Sequence, residues 1–177
     1  MRKTFIISGY GGQGVMLAGT LLCEAAMREA KFVTFFPSYG AEMRGGTANC
    51  QLIISDEPIG APVIESPNIL ICLNTPSMHK FIYKLADSGS IILNSSLTGP
   101  EPISEDIYSI PANDLAIKAG SIRAANMVML GAALAISAIV SVESLTETIT
   151  DAFSLKRRDM SRINIKALTL GYEYFSR

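Results

Sequence analysis

Short apolar runs alternate with helical patterns along most of the chain. Residues 3–8 read as a buried strand, and 14–29 repeat apolar side chains (Val15, Leu17, Ala18, Leu21, Leu22, Ala25, Ala26) near the helical period. Residues 31–36 (KFVTFF) form a second apolar run and 47–54 (TANCQLII) a third, followed by a turn at 56–60. Residues 68–73 (NILICL) are another buried strand. Thr75 and Pro76 then open a helix reaching about residue 86, with Thr75 as its cap. Strands are expected at 90–94 and 107–110, a turn-rich segment between them, and a short helix ending near Gly120. Three helices close the chain, over 124–140, 142–154 (capped by Ser141) and 159–175.

Strand, helix and strand in that order predict a β-α-β unit, with a parallel pair and a right-handed crossover. The alternation predicts an α/β fold, a three-layer α/β/α sandwich around a mostly parallel sheet. With 177 residues and no repeat or linker, residues 1–177 are expected to form a single α/β domain.

The first corner carries candidate chemistry. Four glycines, Gly9, Gly11, Gly12 and Gly14, fall within six residues of Ser8-Gly9-Tyr10-Gly11-Gly12-Gln13-Gly14-Val15. Gly9, Gly11 and Gly14 fit G-x-G-x-x-G between a strand and a helix, making the first unit Rossmann-like. Such a corner bares backbone N–H groups at a helix N-terminus, where the dipole favours an anion. A nicotinamide cofactor requires in addition an acid, or an Arg for a 2′-phosphate, at the end of the second strand. Thr34 to Ser38 supply neither. Two readings stay open: glycines that serve only chain geometry, and an anion or backbone-contact site shared with a partner. Gln13 stands at the mouth of this loop.

A second loop, Pro37-Ser38-Tyr39-Gly40-Ala41-Glu42-Met43-Arg44-Gly45-Gly46, gathers a Tyr, a Glu and an Arg. The carboxyl ends of parallel strands carry ligands in open sheets, so both loops are expected on one edge. An exposed Glu42–Arg44 pair adds at most about 1 kcal/mol, so stability alone does not explain this composition.

Charge and composition exclude several classes. Charged residues make up 18% and hydrophobic ones 49% of the chain, against about 25% charged in an average domain. The surplus apolar content points to a subunit with a large contact surface. A net charge of −1 and scattered cations argue against nucleic acid. The apolar stretch from Met127 to Val140 has 14 residues, short of the roughly 20 that span a bilayer. Cys23, Cys50 and Cys72 lack metal-site spacing and read as core residues of a cytoplasmic protein. His79 reads as an ordinary helix residue, Lys156-Arg157-Arg158 as a solvated helix end, and Asn126 as a cap or first-turn donor. No catalytic set and no metal site assemble from one His and dispersed acids.

Together, SGYGGQGV and FFPSYGAEMRGGTANCQLIISDEPIGAP resemble the gamma subunit of 2-oxoacid:ferredoxin oxidoreductases. The form SYGAEMRGGTANC is more similar to the 2-oxoglutarate and branched-chain 2-oxoacid members than to the pyruvate members. The resemblance implies a complex that decarboxylates a 2-oxoacid on thiamine pyrophosphate. Electrons pass through iron–sulfur clusters to ferredoxin, and the acyl group goes to coenzyme A. It implies alpha, beta and ferredoxin-like partner subunits that hold thiamine pyrophosphate and the clusters, with none bound by this chain alone. The expected contact edge is Gly9, Gly11, Gly12, Gln13 and Gly14 with Ser38, Tyr39, Glu42, Arg44, Gly45 and Gly46. Two rival expectations are a free-standing nucleotide-binding oxidoreductase and a purely structural assembly subunit.

Overall fold

A computed structural model describes residues 1–38, 47–97, 106–153 and 158–176. In chain order the main elements are β1 (Arg2–Tyr10), α1 (Val15–Arg28), β2 (Phe32–Ser38), β3 (Thr47–Ser55), β4 (Ile69–Cys72) and α2 (Thr75–Phe81). There follow β5 (Ser90–Asn94), β6 (Ile107–Ile110), α3 (Ala112–Ala119), α4 (Ala125–Ser137), α5 (Val142–Phe153) and α6 (Arg158–Phe175). The strands form one mixed, mostly parallel sheet in the order β2-β3-β1-β4-β5-β6. From β1 to β6 the pairing is parallel, and β3 runs antiparallel to both of its neighbours.

The expected β-α-β pair is therefore corrected. β1 and β2 run in the same direction, but β3 is inserted between them. Composition explains the exchange. β3 has Cys50, Leu52, Ile53 and Ile54 fully buried, as an interior strand requires, whereas Phe32 and Phe36 of β2 are exposed. β2 also continues past the expected stop at Phe36 through Pro37, a residue that edge strands tolerate and central strands do not.

The two faces are unequally covered. Phe5, Ile7, Leu52, Ile54, Ile71 and Ile92 meet the large core built by α1, α3, α4, α5 and α6. On the other face, Ile6, Leu70, Cys72, Ile91 and Leu93 pack under Met78 and Phe81 of the short α2. α1 lies close on the sheet because Gly19 has no side chain: a Cβ there would stand 2.6 Å from Cys50 Sγ and 2.8 Å from Phe35 Cε2.

α4 lies between the sheet and α6, so it is apolar on nearly every side. It crosses α6 through two glycines. A Cβ on Gly131 would overlap the Leu168 carbonyl oxygen, and one on Gly171 would overlap that of Val128. α4 ends at Ser137, short of the expected residue 140, because Ala138 turns left-handed (φ 48°). Ser141 caps α5 as expected, its Oγ accepting from Ser144 N at 3.0 Å. The cap of α2 is corrected from Thr75 to Asn74, whose Oδ1 accepts from Ser77 N at 2.9 Å. That helix also stops at Phe81 and passes into a 3-10 turn, short of residue 86.

Candidate functional site: the carboxyl-end rim

β1 delivers the glycine corner to the carboxyl edge of the sheet. Gly12 (φ 90°) and Gly14 (φ 76°) take left-handed conformations that favour glycine. Gly14 is the N-cap of α1, and no side chain caps that helix. Its first turn holds no acid, so nothing within the helix offsets its leading N–H groups and the positive end of its dipole. Gly9 is glycine for space: a Cβ would lie 2.8 Å from Gln13 Oε1 and 3.0 Å from Leu73 Cβ.

β1 and β4 are parallel neighbours whose following helices cover opposite faces, α1 on one and α2 on the other. Such a switch point opens a crevice at the strand ends, where open α/β sheets take ligands. Gln13 bridges it. Its Oε1 accepts from Tyr10 N at 2.6 Å and from Asn74 Nδ2 at 2.9 Å.

A set of buried carboxamides supports the rim. Asn94, at the end of β5, donates Nδ2 to the Leu73 carbonyl (3.3 Å) and to Asn113 Oδ1 (3.1 Å). Its Oδ1 accepts from Ser96 N (3.2 Å) and Ala112 N (3.1 Å). Asn126 sits in the first turn of α4, and its Nδ2 donates to the Gly14 carbonyl at 3.1 Å. A Cβ on Gly14 would run into that same Nδ2. Asn126 is thus a first-turn donor, aimed across the core at the glycine corner. Beside Asn74, the hydroxyls of Thr75 and Ser77 are buried without a hydrogen-bond partner among the described residues.

The second loop leaves from and returns to this rim. Ser38 pairs with Asn49, and Thr47 pairs with Tyr10. Tyr39, Glu42, Arg44, Gly45 and Gly46 lie outside the described residues, as do Lys156 and Arg157. Lys80 of α2 reaches the same rim, donating Nζ to Thr47 Oγ1 at 2.8 Å. The glycine corner and Ser38 thus share an edge. Asn74, Thr75, Ser77, Lys80 and Asn94 were not anticipated there. A signal for two of them lies in the repeated strand-then-Asn ending of NILICLN and SIILN.

Redox-active chemistry finds no support in the cysteines. Cys23, Cys50 and Cys72 are buried in the core, and burial pushes each thiol up to about 12. At neutral pH they are thiols rather than metal-binding thiolates. Among the described residues no His, Cys, Asp and Glu group is arranged to hold a metal ion. His79 is exposed on α2. No helix among the described residues is long and apolar enough to cross a membrane.

These features define a doubly wound α/β unit with a glycine-cornered switch point and no acid from Thr34 to Ser38 at the end of its second strand. The pyruvate ferredoxin/flavodoxin oxidoreductase pattern matches residues 4–174, and the chain belongs to that family. It is 37% identical over 169 residues to ketoisovalerate oxidoreductase subunit VorA of Methanothermobacter thermautotrophicus, covering 95% of this chain and 35% of that one. The chain therefore spans about a third of the length of the first curated relatives it matches. It is 35% identical to 2-oxoglutarate synthase subunit KorC of Methanocaldococcus jannaschii, over 98% of this chain and 94% of that one. Its fold superposes on the gamma subunit of a keto/oxoacid ferredoxin oxidoreductase from Geobacter sulfurreducens with TM-score 0.82 and 29% identity, covering 97% of this chain and 96% of that one.

Proposed function

We propose that residues 1–177 form one α/β domain acting as the gamma-type subunit of a cytoplasmic 2-oxoacid:ferredoxin oxidoreductase, with 2-oxoglutarate the favoured substrate. In this reading the rim of Gly9, Gly11, Gly12, Gln13 and Gly14, with Ser38, Tyr39, Glu42, Arg44, Gly45 and Gly46, faces the catalytic subunits. It receives the anionic end of coenzyme A. One observation carries the reading: the uncapped, acid-free N-terminus of α1 opens on the β1/β4 switch point. The left-handed Gly12 and Gly14 suit an anion there, because successive N–H groups around such residues can form a concave nest and neither residue adds a side chain of its own. When bound, coenzyme A supplies the thiol that accepts the acyl group. This chain's residues hold and orient its charged end, with Arg44 adding a charge-assisted contact.

Thiamine pyrophosphate and the iron–sulfur clusters belong to the alpha, beta and ferredoxin-like subunits, and ferredoxin takes the electrons. The buried thiols support that division. A nucleotide-binding oxidoreductase working alone is disfavoured by the end of β2, where Thr34 to Ser38 supply neither the acid nor the Arg that is wanted.

The test is to co-purify the chain with its native partners and assay the complex across several 2-oxoacids with coenzyme A varied. Gly12→Asp puts a carboxylate where an anion is expected, in space that holds no atom of the described residues within 4 Å. The expected result is an intact complex with a raised KM for coenzyme A, and a smaller rise for Arg44→Ala. An intact complex with an unchanged KM in both variants would leave the purely structural role standing instead.

A further inference from the structure

α3 and α6 border an open groove of about 600 Å3, lined by Ala119, Ile163, Ile165, Asp159, Arg162 and Lys166. Its charge is unbalanced. Arg158, Arg162 and Lys166 follow one another at four-residue spacing along α6, all exposed, with Arg123 exposed on a turn that packs on α6. None of these four cations makes an ion pair among the described residues, and Asp159 makes none with them. By contrast, Arg28 pairs with Glu147 and Asp151, and Lys31 with Glu29 and Asp56.

Folding does not favour this arrangement. Like charges four apart on a helix repel. Arg158 and Arg162 also occupy the N-terminal part of α6, where the dipole disfavours cations. Beside the charges lie partly exposed apolar side chains, Ile163 and Ile165 in the groove and Ile122 on the neighbouring turn.

We propose that this groove docks an acidic, partly apolar segment of a neighbouring subunit. The proposal rests on the reading of the chain as one subunit of a complex. Charge complementarity selects the sign of the partner. Spacing selects its size: from Arg158 to Lys166 the helix rises about 12 Å, too far for one phosphate or carboxylate to span. The apolar lining selects a protein segment over a free polyanion. The groove's lining shares no residue with the glycine corner.

The experiment uses the co-purified complex. Carbodiimide couples an amine to a carboxylate only when the two touch, and peptide mass spectrometry reads the product at Lys166. The expected result is a link from Lys166 to an Asp or Glu of another subunit. The double variant Arg162→Glu/Lys166→Glu is expected to release that subunit at least about tenfold faster at low salt, with the difference shrinking as salt rises. Its thermal midpoint as an isolated subunit should match the wild type, since both side chains are exposed.

A wild-type complex that assembles and turns over while Lys166 stays open to amine reagents, and the double variant dissociates like wild type, overturns the docking proposal alone. A link from Lys166 to a carboxylate of a second copy of this chain overturns it in favour of self-association. A wild-type chain that captures no subunit overturns both this proposal and the functional reading beneath it.

Discussion

The α4–α6 seam and the glycine corner of the rim both depend on glycine, for opposite reasons. At the seam, Gly131 and Gly171 sit inside helices, and a neighbouring backbone fills the space a Cβ would need. At the corner, a Cβ on Gly12 would meet nothing among the described residues, and its φ is an unusual 90°. One use of glycine closes two helices onto each other and fixes the core. The other lets the chain turn left-handed between β1 and α1. The difference teaches where this chain tolerates change: crowding at the seam cannot relax, while strain at the corner is local.

The largest expected effect falls on the seam. Gly131→Ala gains about 1 kcal/mol of helix propensity. It should still lose about 3 kcal/mol or more net, because the new methyl meets backbone rather than a movable side chain. Thermal unfolding should report a midpoint at least about 6 °C lower. A stabilised Gly131→Ala protein would mean that the helices separate easily and the contrast is false.

Next comes the carboxamide layer beneath the rim. Asn94→Ala leaves the Ala112 and Ser96 N–H groups without their acceptor, and should cost about 2 kcal/mol in urea unfolding. Gly12→Ala should cost only about 1 kcal/mol, since φ strain is its sole penalty among the described residues. If it proves as damaging as Gly131→Ala, the corner is packed as tightly as the seam.

The smallest effect belongs to Glu29. Partial burial raises its carboxyl pKa, but the Ser141 N–H and the Ser144 and Ser141 hydroxyls outweigh this, with Lys31 assisting, and hold it below its ordinary 4.5. A depressed carboxylate stabilises the fold above its unfolded pKa and loses that contribution as pH falls through the folded value. Glu29→Gln should therefore lower stability slightly at pH 7 and not at all well below pH 4.5. A pH-independent loss would assign Glu29 to packing alone.

Much of this molecule was legible along the chain, and the reasons differ by element. The strands at 90–94 and 107–110 coincide with their expected bounds, because each is a short apolar run between turn residues. α1 and α5 fall within two residues of expectation, the first entered by glycine and the second capped by Ser141. The end of α4 was hidden, because nothing about Ala138 announces a left-handed turn. Asn74 does not stand out as a cap in the sequence, because Thr75 and Pro76 satisfy the same local preference one residue later.

Local order along the chain, then, determined the elements, the glycine corner and the absence of an acid from Thr34 to Ser38, since periodicity and backbone preference act over a few residues. Tertiary structure alone decided that β3 lies between β1 and β2, that Gln13 meets Asn74 across the switch point, and that Asn126 reaches Gly14. Those contacts join residues 61 and 112 positions apart. Their partners are chosen by which strands bury both faces and which donors remain unpaired, and no local rule carries that information.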